Sequence, residues 1–363
     1  MVSAFEHIVK RDDWESYESR IEPNTYHLLE ILDGNQNVQR AEKPSTQNSS
    51  LSTQNSELRT QNSKFVTHNS SKATFFCLGW IAERYPHLIK EIHSRGHEIA
   101  NHGYDHRMIT SISPKEFRED IRKSKVMLEN LIGERVIGYR APSYSITRKT
   151  LWALEILLEE GFFYDSSIFP IHHDRYGIPD APRYPFYIEF NGGKIHSQFK
   201  KPKYLYEISR SKAVSGKHPN RNRPDPLPFT LQPPPRTSHP APWTLNPIPC
   251  NFLIEFPIST LRVLGQNLPI AGGGYLRLFP FKFVQWALRK IKKKGTLPFV
   301  FYIHPWELDP EQPKIHVLSP MSRFRQYFNL DKTECRLKRL LRGFYFTSFR
   351  KALISHTNDG LKI

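Results

Sequence analysis

Cysteine is scarce: Cys77, Cys250 and Cys335 are the only three in 363 residues. They are too few and too scattered for a disulfide framework or a cysteine-based zinc site, so a reducing compartment is the default. No apolar run reaches the roughly 18 residues a membrane helix needs, so no membrane span is expected. The opening MVSAFEHIVKRDDWE lacks a basic region followed by an apolar stretch and does not read as a signal peptide; cytoplasmic is the default location. Acidic residues are in deficit, 35 against 52 Lys and Arg, a net charge of +17. The imbalance is confined to the second half, with 11 basic against 3 acidic residues over 191–276 and 18 against 6 over 277–363. Such a half could steer the chain to nucleic acid, anionic lipid or an acidic polymer. No nucleic-acid recognition motif accompanies the charge, so nucleic acid is not an expected partner.

Two segments stand apart from the rest. Residues 45–72 are four tandem heptads, STQNSSL, STQNSEL, RTQNSKF and VTHNSSK, with at most one useful apolar residue each, where a coiled-coil seam needs two. A tract of Ser, Thr, Gln and Asn buries too little to offset its ordering entropy, so 34–72 reads as a disordered insertion. Residues 201–250 hold 12 of the 29 prolines, which remove backbone donors and fix φ; 198–250 reads as a second insertion. The expected organisation is one domain over 1–346, interrupted by these two segments, with a tail over 347–363.

Elsewhere strands and helices alternate. Asn24 is expected to cap a helix carrying Leu28, Leu29 and Leu32, followed by strand 73–78 (ATFFCL), a helix to Ser94 and Gly96, and strand 97–100 (HEIA). Ser113, Pro114 and Glu116 form a capping box with proline at the first helical position, and Gly133 stops that helix. Strand 136–139, helix 148–160 closed by Gly161, strand 162–164, helix 280–294 and strand 299–303 (FVFYI) continue the series. Repeated β-α units imply a parallel sheet or an α/β barrel, whose reacting groups lie at the C-terminal strand ends. Those ends release NHGYDH, RAPSY, DSSIFP and HPWE.

His102 and His106 have the i, i+4 spacing that can put two imidazoles on one metal ion, although among 16 histidines such a pair also arises by chance. His93 and His97 share the spacing but straddle a helix end and a strand start, the opposite end of a barrel, and read as structural. Arg140 before Pro142 is either a salt-bridged arginine at a rigid turn or one that orients a carboxylate in the pocket. Asp165 beside Ser166 could cap a turn. His304, ahead of Pro305, Trp306 and Glu307, is either a core histidine or a general acid.

Together, ATFFCLGWIAERYPHLIKEIHSRGHEIANHGYDH, GYRAPSYSI, YDSSIFP, EFPIST with AGGGYLRL, and FYIHPWELDPEQP resemble the polysaccharide deacetylases of the NodB-homology type, in particular the group found with exopolysaccharide and exosortase gene clusters. The resemblance covers 3–33, 72 to about 197 and 252 to about 346. It implies a distorted (β/α) barrel and hydrolysis of N-acetyl groups on the amino sugars of a polysaccharide with one divalent metal, zinc being expected. It also implies roles: His102 and His106 as metal ligands, Arg140 as the arginine that holds the catalytic aspartate, Asp165 as the acid of the fourth motif, and His304 as general acid. Backbone N–H groups near Ser143 and Tyr144 would stabilise the oxyanion.

The family's first strand, which ends in clustered acids that complete the metal site and supply the base, would precede the stretch matching Val2–Glu6. The expectation from the sequence is therefore a shortened, impaired enzyme, with Asp12 and Asp13 in KRDDWE the nearest substitutes. Two lesser departures are the displaced aromatic after the RAP proline and the missing Asp-Trp pair after Asp165. A non-catalytic carbohydrate-binding relative and a basic nucleic-acid-binding protein are the alternative readings; the oligomeric state is not legible.

Overall fold

Alternating strands and helices need a parallel sheet to share, and the computed structural model supplies one. The structure describes residues 18–34, 70–191, 194–195, 252–294, 298–314 and 319–357. Strands β1 (Thr74–Cys77), β2 (Glu98–Asn101), β3 (Gly138–Tyr139) and β4 (Tyr164–Asp165) lie side by side in chain order. The next neighbour, β7 (Phe252–Glu255), is also parallel, so five strands run in one direction. Strand β5 (Phe186–Asn191) closes onto β7 antiparallel and turns into β6 (Lys194–Ile195). A small hairpin, β8 (Thr260–Val263) and β9 (Gln266–Pro269), follows. The class is α/β, as expected, with the strand order of a barrel wall; among the described residues the ladder is not closed into a ring.

The helices pack between these strands in sequence. They are α1 (Ile21–Asp33), α2 (Gly79–Arg84), α3 (Pro86–Ser94), α4 (Pro114–Ile132) and α5 (Trp152–Glu159), then α6 (Gly273–Leu278), α7 (Phe281–Lys294), α8 (Pro320–Tyr327), α9 (Thr333–Gly343) and α10 (Phe349–Thr357). Helix α4 forms as its sequence dictates. Ser113 Oγ accepts from the Glu116 amide, the Glu116 carboxylate accepts from the Ser113 amide, and Gly133 ends the helix at φ 70°. Its apolar face, Phe117, Ile121 and Leu128, is fully buried on the sheet, each side chain contributing about 2 kcal/mol of burial. Helix α1 departs from the expectation: it starts at Ile21, so Asn24 lies inside it, and its amide reaches Asp309 at 3.3 Å instead of capping. Proline at 23 is tolerated in the first turn, where no intrahelical donor is needed.

Strand periodicity sorts the core. On β1, Cys77 and Phe75 face the helices, whereas Phe76 faces inward with Tyr164, Ile254 and Phe349. Residues 299–303 alternate in the same way, Val300 and Tyr302 to one cluster and Phe299, Phe301 and Ile303 to the other. They form a single parallel bridge, Tyr302 to Gly272, rather than the strand expected. The segment set apart as a tail contains α10. Its Phe349 amide donates to Thr74 Oγ1 (2.9 Å) and its Arg350 amide to Glu98 Oε2 (2.9 Å), at the N-terminal end of the sheet.

Both expected insertions lie largely outside the described residues, but their ends are informative. Gly34 terminates α1, and the Ser71 amide donates to the Leu32 carbonyl at 2.9 Å, so the chain returns where it left. In the second case Phe252 pairs with Glu189 on the neighbouring strand. Among the described residues no helix is long and apolar enough to cross a membrane.

Candidate active site at the strand ends

The loop after β2 is held by Asn101. Its side-chain oxygen accepts from the Gly103 amide (2.7 Å) and Ser124 Oγ (2.9 Å), and its Nδ2 donates to the Ile121 carbonyl (3.0 Å), tying the loop to α4. Asp120 accepts the Tyr104 amide at 2.8 Å, and a side chain at Gly103 would strike that carboxylate at 2.7 Å. On this frame the rings of His102 and His106 stand 5.1 Å apart. His106 sits at φ 61°, a left-handed conformation that costs a non-glycine residue on the order of 1 kcal/mol and persists only where the surroundings impose it.

His102 Nδ1 lies 2.6 Å from the Arg140 carbonyl. A carbonyl can only accept, so Nδ1 carries the proton and Nε2 keeps its lone pair. Burial, reinforced by His106, pushes this imidazole well below its usual range and leaves it neutral. A neutral imidazole with a fixed tautomer, beside a second one, suits half of a divalent metal site. Among the described residues no group of three or more His, Cys, Asp and Glu gathers to complete it; Asp12 and Asp13 lie outside them. The rival pair is structural in form: His97 is buried, accepts the Ala73 amide at 3.2 Å and is pushed by burial to about 4, while His93 faces Glu134 at 3.5 Å.

Arg140, one strand over, donates to the Ser166 carbonyl (2.9 Å) and Ser166 Oγ (2.7 Å), with its guanidinium 4.1 Å above the Phe76 ring. Its observed side-chain partner is Ser166. The next turn holds Ser143 and Tyr144, both at φ 53°. The Tyr144 amide is spent on the Ala141 carbonyl at 3.2 Å, which corrects its expected role as an oxyanion donor.

Asp165 is placed away from the cleft. Side chains alternate across a strand, so with Ser166 on the inner face beside Arg140, Asp165 falls on the helix-facing side, fully buried. It is paired in register with Glu255, and the two carboxyls bond each other. Ser167 donates to Asp165 Oδ1 (2.5 Å) and the Ile168 amide to Glu255 Oε1 (2.9 Å). Among the described residues, Asp165 Oδ2 and Glu255 Oε2 have no hydrogen-bond partner, which a proton held by the carboxyl pair would satisfy. Burial raises both groups, Glu255 the more strongly, and the proton resides there.

His304 stands where the sequence puts it, half exposed at the mouth. Its Nδ1 is 3.2 Å from Glu307 Oε2, its ring is stacked on Trp306, and Tyr302 meets it edge-on at 5.8 Å. From Tyr302 an aromatic row continues through Tyr144 (5.3 Å) and Tyr176 (6.1 Å) to the exposed His173, stacked on Tyr176 at 3.7 Å. The structure thus brings His102, His106, Arg140 and His304 to one end of the sheet and turns Asp165 away. Sequence reasoning missed Ser166, Glu255 and Arg277. Ser166 was legible from alternation along DSS, but Glu255 and Arg277 carry no local signal.

Residues 55–157 match the polysaccharide deacetylase family, and residues 235–354 match a domain of unknown function (DUF3473). Over 97 residues the chain is 38% identical to a peptidoglycan deacetylase-like protein of Gibberella zeae, covering 27% of this chain and 28% of that one. A peptidoglycan-N-acetylglucosamine deacetylase of Bacillus cereus is 39% identical over 85 residues, 23% of this chain and 31% of that one. A solved Mycobacterium smegmatis structure named as a polysaccharide deacetylase aligns over 80% of this chain and 73% of that one, with 15% identity and a TM-score of 0.40. The chain spans about a third of the length of the curated relatives it matches. The deacetylase match takes in His102, His106 and Arg140, the second match takes in Arg277 and His304, and the chain thus carries a polysaccharide deacetylase domain match over 55–157 followed by the DUF3473 match over 235–354.

Proposed function

We propose that this chain hydrolyses the N-acetyl groups of amino sugars in a polysaccharide, an exopolysaccharide of N-acetylated units being the substrate class. The observation that carries the reading is the His102 tautomer, fixed by the Arg140 carbonyl so that Nε2 beside His106 is free to ligate. His102 and His106 would hold a divalent ion, zinc by ligand type, which supplies Lewis acidity toward the acetamide carbonyl and acidity to a water molecule. The protein's own part is positional. Arg140 is fixed by Ser166 and Phe76 at the wall of the cleft. The aromatic row from Tyr302 to His173 offers flat faces suited to pyranose rings. As water oxygen adds to the acetyl carbon, its proton passing to solvent, and the C–N bond breaks, the His304 imidazolium gives its Nε2 proton to the departing nitrogen, leaving acetate and a free amine.

A second reading, a carbohydrate-binding member with little or no turnover, draws on the absence of a third clustered ligand among the described residues. Acetate release from an N-acetylated oligosaccharide, with saturating Zn²⁺ or Co²⁺, separates the two. Release that is abolished by His102→Ala and by His304→Gln supports hydrolysis. Glycan binding with no release in the parent chain supports the second reading.

A further inference from the structure

We infer that Glu307, clamped by Arg277, is the positioning residue for His304: it dictates which ring nitrogen carries the proton and leaves the other on the open side of the ring. The catalytic consequence rests on the deacetylase reading above; the ring's orientation stands on contacts alone.

One carboxylate oxygen, Glu307 Oε2, lies 3.2 Å from His304 Nδ1 and 3.0 Å from the His304 backbone nitrogen. Carboxylates accept, so Nδ1 donates and Nε2 is the atom left for chemistry. The other oxygen, Oε1, receives Arg277 at 3.1 Å, and these two side chains are only 2% and 3% exposed. Arg277 is itself immobilised, donating to the carbonyls of Gln326 (3.0 Å), Arg325 (3.1 Å) and Phe328 (3.1 Å). Around the imidazole, Trp306 covers a face and Tyr302 an edge, and the neutral His102 ring lies within electrostatic reach.

A buried ion pair of this kind is often no better for stability than apolar residues of similar size, so stability does not explain it. The chain also gives up side-chain volume for it. A Cβ on Gly273 would come within 2.0 Å of Glu307 Oε2, and one on Gly272 within 2.5 Å of the Tyr302 ring. The glycine run at 272–274 is therefore the seat on which Glu307 and Tyr302 rest. Burial pushes the Glu307 carboxyl up, but its bond to His304 and the charges of His304 and Arg277 outweigh that and hold it below its usual range. It is thus ionised when the imidazolium forms.

The test is long-range ¹⁵N–¹H correlation spectroscopy of the histidine rings in the full chain, with the His304 signals assigned from His304→Gln. The parent should show the Nδ1–H tautomer at high pH. In Glu307→Gln the amide oxygen stays on Arg277 and the amide nitrogen faces Nδ1, so the ring should switch to Nε2–H. Acetate release should then lose about tenfold in kcat, with KM little changed. An Nε2–H tautomer in the parent, which needs no variant, overturns the inference. So does an unchanged ring in Glu307→Gln. If the parent releases no acetate, the deacetylase reading fails while the spectra still decide the role of Glu307.

Discussion

Replacing Glu255 by Gln should abolish a pH dependence of folding that one shared proton creates. In the folded chain, Asp165 and Glu255 are fully buried and the pair holds that proton away from water. In the unfolded chain both carboxyls titrate near their ordinary values of about 3.9 and 4.3, and by pH 5.5 both are empty. The unfolded state then binds one proton fewer than the folded state, so stability falls as pH rises, by about 1.4 kcal/mol per pH unit while the shared proton stays bound. The sign follows from the direction of the shift. Folded-state values are raised by burial, so the stabilisation is complete below the unfolded carboxyl range and is lost on the way up. From pH 5.5 to 7.5 the loss amounts to about 2.7 kcal/mol. Glutamine keeps the geometry without the proton: its amide donates to Asp165, and its oxygen can still accept the Ile168 amide. Urea denaturation of parent and Glu255→Gln at pH 5.5, 6.5 and 7.5 gives the difference in which all other titrating groups cancel. That difference should shift toward the variant across the range. A difference constant to about 0.5 kcal/mol would refute the shared proton.

Three further outcomes are expected. His102→Ala and His106→Ala should each abolish binding of Zn²⁺ or Co²⁺ measured by calorimetry, whereas His93→Ala should leave it intact. His97→Ala should also bind normally but lose about 1 kcal/mol of stability, because the half-buried Ala73 amide loses its acceptor; metal binding governed by the latter pair would reverse the assignment. Short Gly-Ser replacements of 35–69 and 198–249 should preserve far-UV circular dichroism and cooperative unfolding, given the Ser71 to Leu32 closure and the Glu189 to Phe252 pairing; collapse of the fold on deletion would contradict this. Gly138→Ala should cost about 1–3 kcal/mol in chemical denaturation, since its Cβ would fall 2.0 Å from the buried Tyr164 ring, and a neutral result would mean that the ring moves freely.

What the sequence disclosed was what is local. Ser113, Pro114 and Glu116 specify the start of α4 within four residues, and the polar clusters after β2 and β3 mark strand ends because strands are short and apolar. The 299–303 run announced an extended segment buried on alternate sides, which it is, but periodicity senses burial and not a hydrogen-bonded neighbour, so the expected ladder shrank to one bridge. Asp165 was drawn into the site because a strand end fixes position but not the face on which a side chain emerges. Glu255 and Arg277 were out of reach for another reason. Each acquires meaning from a partner, Asp165 90 residues away and Glu307 30 away, and only sheet register and helix docking create those meetings.

The docking of α10 also bears on how the molecule is made. Thr74 and Glu98, on β1 and β2, find partners in Phe349 and Arg350, across sequence separations of 275 and 252 residues. Synthesis proceeds from the other end, so on the ribosome the first two strands emerge long before the helix that seals their lower edge. During that interval the Glu98 carboxyl, raised by burial in the finished fold, lacks the Arg350 amide, and the Phe76 and Tyr164 rings lack the Phe349 ring that packs on them. The apolar floor of the sheet is therefore complete only once the C-terminal helix has been made. A premature stop just ahead of residue 349 would leave every candidate catalytic side chain in the polypeptide and still deprive the sheet that holds them of its last fastening.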